Sequence, residues 1–153
     1  MTRRQGVLIA GAILLVAAFV AAGAYSLRGG AREDPNDPQT IALGKSVYDE
    51  ACAACHGENL EGQPDWRSRT PEGRLPAPPH DASGHTWHHA DQMLFDMTKF
   101  GIEAFAPAGY KSDMPGFEES LSDAEIWAVL AYIRSTWPAE ILARQQRISA
   151  PAE

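Results

Sequence analysis

Cysteine is scarce in this sequence, which has only Cys52 and Cys55 among its 153 residues. A structural zinc site commonly takes four ligands from two such pairs, and no second pair is present. A thioredoxin-like dithiol usually begins a helix in a βαβ unit. No strand rich in valine and isoleucine precedes Cys52, because residues 41–48 have helical spacing instead. A disulfide within the pair would close a very small ring, so few structural uses remain for these two thiols.

Basic charge is also in deficit. The chain has 20 acidic and 13 basic residues, which gives a net charge of −7. Binding to nucleic acid depends on basic patches, so this composition argues against it. An acidic surface suits transient docking on a basic partner protein. Solubility alone would explain the charge equally well.

Long apolar runs are absent except at the N-terminus. Arg3 and Arg4 precede a stretch without charge from Gly6 to Leu27, in the order of an export signal. Cleavage near Ala24 would leave a soluble periplasmic protein. The run is also long enough to cross a bilayer, and its length favours an anchor in a bacterial inner membrane, with the remainder on the periplasmic side. We therefore expect residues 1–27 to form a hydrophobic signal or anchor helix.

Composition divides the rest of the chain into three parts. Residues 28–38 are rich in glycine, proline, aspartate and asparagine, which predicts a flexible linker. Residues 39–138 are long enough for one small domain with a limited core. Residues 139–153 are polar and lack a strong apolar face, so they are expected to form a polar C-terminal tail.

Three helices are predicted in the domain, with little sign of strand. The first helix runs from about Asp37 or Thr40 to Ala54, and Gly57 stops it. The second runs from Ala90 to Phe100. The third begins at a Ser122–Glu125 capping box and ends at Pro138. Gly44 costs helix propensity, so we expect it to permit the close approach of another helix. The long stretch from Asn59 to His89 has no regular pattern, as expected where a chain wraps a cofactor.

The two cysteines belong to the string Cys52-Ala53-Ala54-Cys55-His56. Thiols three residues apart can lie on one side of a helical turn and reach the two vinyl groups of a single haem. The histidine that follows is then held where its imidazole can bind the iron. This string is a signature of covalent c-type haem attachment.

A second axial ligand is sought among the methionines. Met1 lies in the apolar segment, and Met93 and Met97 lie on the second predicted helix, where core packing is the expected role. Met114 differs because it lies in a loop ahead of the last helix, and the following Pro115 biases it towards extended geometry. A thioether ligand opposite His56 would raise the reduction potential, so we expect Met114 to be the sixth ligand.

These motifs and the run from Leu121 to Ile133 that follows them resemble the class I monohaem cytochromes c in order and spacing. The resemblance covers about residues 37–137 and is strongest to membrane-anchored bacterial members. The resemblance implies an all-α cytochrome c fold with one covalent haem c in a hydrophobic crevice. It implies thioethers at Cys52 and Cys55, with His56 as proximal and Met114 as distal ligand. It also implies a crossing of the first and last helices, marked by Gly44 and Tyr132.

In that family a proline carbonyl usually accepts the outer proton of the proximal histidine. Pro64 is the candidate here, and Pro76, Pro78 and Pro79 are the alternatives.

The loop before the second helix is longer and richer in histidine than a minimal family member needs. It contains His80, His85, His88 and His89. These could form a second metal site or a docking patch, or one of them could compete with Met114 for iron. Haem propionates could be bonded by Trp87, Arg67, Arg69 or Arg74. A polar loop around a packed tryptophan is the favoured interpretation.

The function expected is one-electron transfer without bond chemistry on a substrate. The donor and acceptor would be membrane respiratory complexes or periplasmic oxidoreductases. The alternative is a haem enzyme, or a gas- or metal-responsive sensor, with a displaceable distal ligand. A thiol oxidoreductase is the remoter third class.

Overall fold

The computed structural model describes residues 34–150, which form helices and loops without a strand. The α-helices are α1 (Pro38–Ala51), α2 (Ala53–His56), α3 (Asp91–Phe100), α4 (Asp123–Ser135) and α5 (Ala139–Ser149), and the 3-10 helices are Thr86–His88 and Ile102–Phe105. The expected hydrophobic segment 1–27 and most of the linker lie outside the described residues. Within residues 34–150, no helix has the length and apolar character needed to span a membrane.

The first helix begins as the sequence predicts. The Asp37 carboxylate accepts hydrogen bonds from the Gln39 and Thr40 amides at 3.0 and 2.9 Å, and Pro38 occupies the first turn. The helix ends at Ala51 rather than Ala54, because the chain bends at Cys52 before α2 begins. Cys52 therefore lies just before the short helix α2, and Cys55 lies within it.

The helices α1 and α4 cross with their backbones in close contact at Gly44. A Cβ atom added there would overlap the carbonyl oxygen of Ala128 and lie 2.9 Å from the Tyr132 Cβ. The rings of Tyr48 and Tyr132 pack beside this point with centroids 5.4 Å apart. The predicted crossing of the first and last predicted helices, with Gly44 and Tyr132 at the contact, is thus confirmed.

Two apolar clusters form the core. The larger one joins α1 and α4 to the long loop and contains Val47, Tyr48, Leu60, Trp87, Val129, Ile133 and Trp137. The smaller one joins α3 to α4 through Leu94, Phe95, Ile126 and Leu130. Fully burying a side chain such as Ile126 or Val129 stabilises the fold by roughly 1.5–3 kcal/mol. Because α4 contributes to both clusters, it is the central element of the domain.

The start of α4 is the predicted capping box. The Ser122 hydroxyl accepts from the Glu125 amide at 3.3 Å, and the Glu125 carboxylate accepts from the Ser122 amide at 2.8 Å. The helix ends at Ser135, ahead of the predicted stop, and Pro138 instead precedes the next helix.

The segment expected to be a polar tail is helix α5, so the prediction that the domain ends near Pro138 is wrong. Ile141 and Leu142 pack against the larger cluster, and Gln145 is fully buried. The Gln145 amide nitrogen donates to the Asp91 carboxylate at 2.6 Å, and Arg134 pairs with the same carboxylate at 3.0 Å. The apolar face was missed because a buried glutamine at its centre counts as polar in a hydrophobicity pattern.

Candidate haem site

The string from Cys52 to His56 forms a single helical turn. The amides of Cys55 and His56 both donate to the Cys52 carbonyl, at 3.1 and 2.9 Å. The turn closes at Gly57, whose φ of 83° is in the region that favours glycine. Both thiols are unpaired, Cys52 half-buried against the core and Cys55 exposed. The predicted cysteines and histidine are therefore brought together by local structure.

The His56 imidazole is buried and held in one tautomer. Its Nδ1 lies 2.8 Å from the Pro78 carbonyl oxygen. Because a carbonyl only accepts hydrogen bonds, Nδ1 carries the proton and Nε2 keeps its lone pair. Burial lowers the pKa of His56, partly opposed by this hydrogen bond, so the neutral ring is favoured. The predicted support by Pro64 is wrong, since Pro78, one of the alternatives, makes the contact.

The Cys52 thiol does not have the character of a reactive nucleophile. Burial, with a smaller contribution from Cys55, raises the pKa of Cys52 to about 11. Disulfide oxidoreductases depend on a cysteine whose pKa is lowered, so that the thiolate is present near neutral pH. The environment of Cys52 therefore opposes the thiol oxidoreductase class.

Each of the four histidines of the long loop contacts another aromatic ring. The ring centroid of His80 lies 4.0 Å from that of His56, and His85 stacks on Trp66 at 5.3 Å. The other two rings also make aromatic contacts, His89 with His85 at 5.5 Å and His88 with Trp87 at 3.7 Å. No group of three or more histidine, cysteine or acidic side chains able to hold a metal ion occurs within residues 34–150.

The contact between His80 and His56 was not predicted. The two residues are far apart in sequence, and no local pattern indicates which loop residue returns to the haem-attachment turn.

Met114 lies half-buried in a loop that is fixed on both sides. Its amide donates to the Ser112 hydroxyl at 3.0 Å, and the preceding Asp113 pairs with Arg74 of the long loop at 3.1 Å. After it, the Phe117 amide donates to the Thr98 carbonyl of α3 at 3.1 Å. The two methionines of α3 differ in burial: Met97 packs against the smaller apolar cluster, whereas Met93 is 42% exposed.

The side chains considered as propionate partners differ in what they already bond. The Trp87 indole donates to the Ala82 carbonyl at 3.3 Å, Arg67 stacks on Trp66, and Arg69 donates to the Gly73 carbonyl at 2.6 Å. Within the described part of the chain, Arg74 keeps a buried Nε without an acceptor. Two thiols on one turn, a neutral imidazole with a free Nε2 and a spare cationic donor together fit a haem.

Comparison with known proteins assigns the family. A profile of the cytochrome c family matches residues 41–137, well over half of the chain. The chain belongs to the cytochrome c family, whose members carry covalent haem c, and it is an electron-transfer haem protein. The sequence-based identification as a class I monohaem cytochrome c is thereby confirmed.

Three similar proteins illustrate the range of the family. The chain is 31% identical over 99 residues to the Cbb3-type cytochrome c oxidase subunit CcoP of Azospirillum brasilense, covering 65% of this chain and 29% of that one. It is 32% identical over 96 residues to the thiosulfate dehydrogenase of Stutzerimonas stutzeri, covering 62% and 27%. Cytochrome c-555 of Prosthecochloris aestuarii is 27% identical over 99 residues, covering 61% and 84%. The match thus spans under a third of the first two relatives.

A solved structure shares the fold. Cytochrome CL from the marine methylotroph Methylophaga aminisulfidivorans superposes with a TM-score of 0.51 at 25% sequence identity, covering 83% of this chain and 79% of that one. The coverage of this chain extends beyond the 97 residues of the family match.

Proposed function

We propose that the protein is a one-electron carrier in which Cys52 and Cys55 form the two thioethers to haem c and His56 is the proximal ligand. The observation that carries this proposal is the His56 ring, which shares a turn with both thiols and has its Nδ1 proton bonded to Pro78. Haem c supplies a reversible one-electron couple. The chain's contribution is to attach the group, orient the imidazole and exclude water from the proximal side.

Met114 is the proposed distal ligand. Its loop is tied to the long loop by the Asp113–Arg74 ion pair and to α3 by the Phe117 amide. A loop held on both sides reduces the entropy lost when one side chain is fixed on a metal. A thioether ligand in place throughout the redox cycle favours the reduced iron and leaves no open position for a substrate.

Arg74 is proposed to neutralise a haem propionate. Its Nε is shielded from solvent without an acceptor, although 43% of the side chain is exposed, and an unpaired shielded donor carries a desolvation penalty. A carboxylate acceptor would remove that penalty. The same side chain already bonds Asp113 beside Met114, so it would connect the haem edge to the distal loop.

The partners are proposed to be a respiratory complex or a periplasmic oxidoreductase. Two relatives carry the names of an oxidase subunit and a thiosulfate dehydrogenase, and the acidic chain suits transient docking on a basic surface. Residues 1–27 are proposed to anchor the domain on the periplasmic side of an inner membrane. Intact-mass analysis of the native protein tests this, since cleavage near Ala24 would shorten it.

The test of the ligand set is Met114→Ala in the haem-loaded protein, with Met93→Ala as the matched control because Met93 is exposed on α3. The Met114 variant should lose the methionine-to-iron absorption band and have a lower reduction potential. It should keep its haem, because the thioethers are untouched. The control should match the wild type. An unchanged spectrum and potential in Met114→Ala would remove this residue from the ligand set.

The alternative function is catalysis or sensing at a displaceable distal ligand, which the name of the thiosulfate dehydrogenase relative brings into consideration. Carbon monoxide added to the reduced wild-type protein separates the classes. A carrier with a firmly held Met114 should show no spectral change. Rapid carbon monoxide binding would favour a sensor, and reduction of the ferric protein by thiosulfate would favour an enzyme.

A further inference from the structure

His80 is held firmly in place by its own backbone and side chain. Its amide donates to the Leu60 carbonyl at 2.8 Å, and its carbonyl accepts from the Trp137 indole at 2.7 Å. Its Nδ1 lies 2.7 Å from the hydroxyl oxygen of the buried Thr86. Anchors on three sides leave the imidazole little freedom to change its orientation.

This fixed ring lies face to face with the His56 ring. Their centroids are 4.0 Å apart and their planes differ by 23°. Tyr48, a fully buried residue, makes a T-shaped contact with His80, with the ring centroids 6.3 Å apart. The His56 ring is therefore packed against a flat surface that is itself supported by the core.

The stack restrains a tilt of the His56 ring that the hydrogen bond to Pro78 does not prevent by itself. Rotation of an imidazole about its Cβ–Cγ bond is a broad, roughly two-fold torsion. A carbonyl oxygen accepts hydrogen bonds over a broad range of directions, so Nδ1 could keep the Pro78 carbonyl while the His56 ring tilts. A parallel ring in contact with its face blocks that tilt.

We propose that His80 is a positioning residue that sets the plane of the His56 imidazole, through a stack whose own orientation is fixed by Thr86. The proposal rests on the proposed ligation of iron by His56. It also gives His80 a place beside the proximal ligand. A residue stacked on that ligand's face cannot reach the opposite side of the porphyrin, so His80 does not compete with Met114.

The test compares His80→Phe with His80→Leu in the haem-loaded protein. Phenylalanine keeps a flat ring, whereas leucine fills similar space with a branched side chain. Thr86→Val removes the hydroxyl partner and leaves His80 itself in place. His88→Ala is the control, because His88 is exposed and stacks on Trp87 instead.

The readout is the proton NMR spectrum of the ferric protein, in which the spread of the haem methyl shifts depends on the orientation of the axial ligand planes. The width of the low-spin electron paramagnetic resonance signal reports how uniform that orientation is. We expect a changed methyl pattern and a broader signal in His80→Leu, smaller changes of the same kind in Thr86→Val, and a near-native pattern in His80→Phe and His88→Ala. A role in stability alone would lower the unfolding midpoint without altering the methyl pattern.

Two results would overturn the inference and are distinguishable. If the wild type lacks the resonances of a coordinated imidazole, both the ligation by His56 and the role of His80 are wrong. If those resonances are present and the methyl pattern of His80→Leu equals that of the wild type, the ligation stands and the positioning role is refuted.

Discussion

The crossing of α1 and α4 predicts that Gly44→Ala destabilises the domain, although alanine is the better helix former. The substitution gains about 1 kcal/mol of helix propensity. Against this, the new methyl group would overlap the Ala128 carbonyl oxygen and lie 2.9 Å from the Tyr132 Cβ. Overpacking of a filled core typically costs about 1–3 kcal/mol. Here the obstacle is backbone, which cannot rotate away, so the upper part of that range applies and the net loss is ~1–2 kcal/mol.

Urea unfolding of the haem-loaded protein, followed by far-ultraviolet circular dichroism, measures this loss. We expect a lower midpoint with an unchanged slope, because the surface exposed on unfolding is nearly the same. Ser46→Ala on the exposed side of α1 is the control, and it should be neutral or slightly stabilising. If Gly44→Ala unfolds at or above the wild-type midpoint, the two helices do not approach as closely as described.

Two further predictions concern stability. Asp91→Ala should lower the free energy of unfolding by about 3–5 kcal/mol, because it leaves the largely buried Arg134 guanidinium without its carboxylate. The control is Asp49→Ala, which breaks an exposed ion pair within α1 and should change the free energy of unfolding by less than about 1 kcal/mol in the same urea experiment. Equal effects of the two substitutions would contradict the difference in burial between the two ion pairs. Ser122→Ala should cost about 1 kcal/mol of unfolding free energy. Hydrogen bonds from Ser122 lower the pKa of Glu125. The contribution of the Glu125 carboxylate to folding stability is therefore present above its unfolded pKa and is lost as pH falls through the lower folded pKa. Unfolding midpoints that fall in parallel for wild type and Ser122→Ala from pH 6 to pH 3 would argue against this link between Ser122 and the Glu125 carboxylate.

Features that depend on neighbouring residues were predictable from the sequence. The Asp37 cap and the Ser122–Glu125 box follow from hydrogen bonds made within a few residues. The predicted end of α3 at Phe100 is also local, since it is followed by Gly101 with a φ of 85°. The turn from Cys52 to His56 is local as well. The crossing at Gly44 is a long-range contact. The close approach of a helix was anticipated because a glycine inside a helix needs a packing reason, and the resemblance to the cytochromes c implied that the partner is the last predicted helix.

Features that depend on residues distant in sequence were not predictable. Pro78 contacts His56 across 22 positions, and nothing in the composition of the loop distinguishes it from the other prolines. Helix α5 was missed because its central buried residue, Gln145, is polar, and its amide nitrogen donates to Asp91 across 54 positions. The residues next to a position in a single sequence do not indicate which distant residue it will contact.

The missed contacts share one role, which is to hold the irregular loop against the helices. Near its beginning, the Gly62 amide donates to the His56 carbonyl at 2.7 Å. In the middle, Trp137 after α4 bonds the His80 carbonyl at 2.7 Å, and at the end Gln145 of α5 reaches the His89 carbonyl at 3.3 Å. Since this loop also supplies the Pro78 and His80 contacts to His56, the order of the proximal side depends on the two C-terminal helices. Loosening α5 should therefore disturb the haem environment before it unfolds the crossing of α1 and α4, because the loop has only one 3-10 helix of its own to retain its shape.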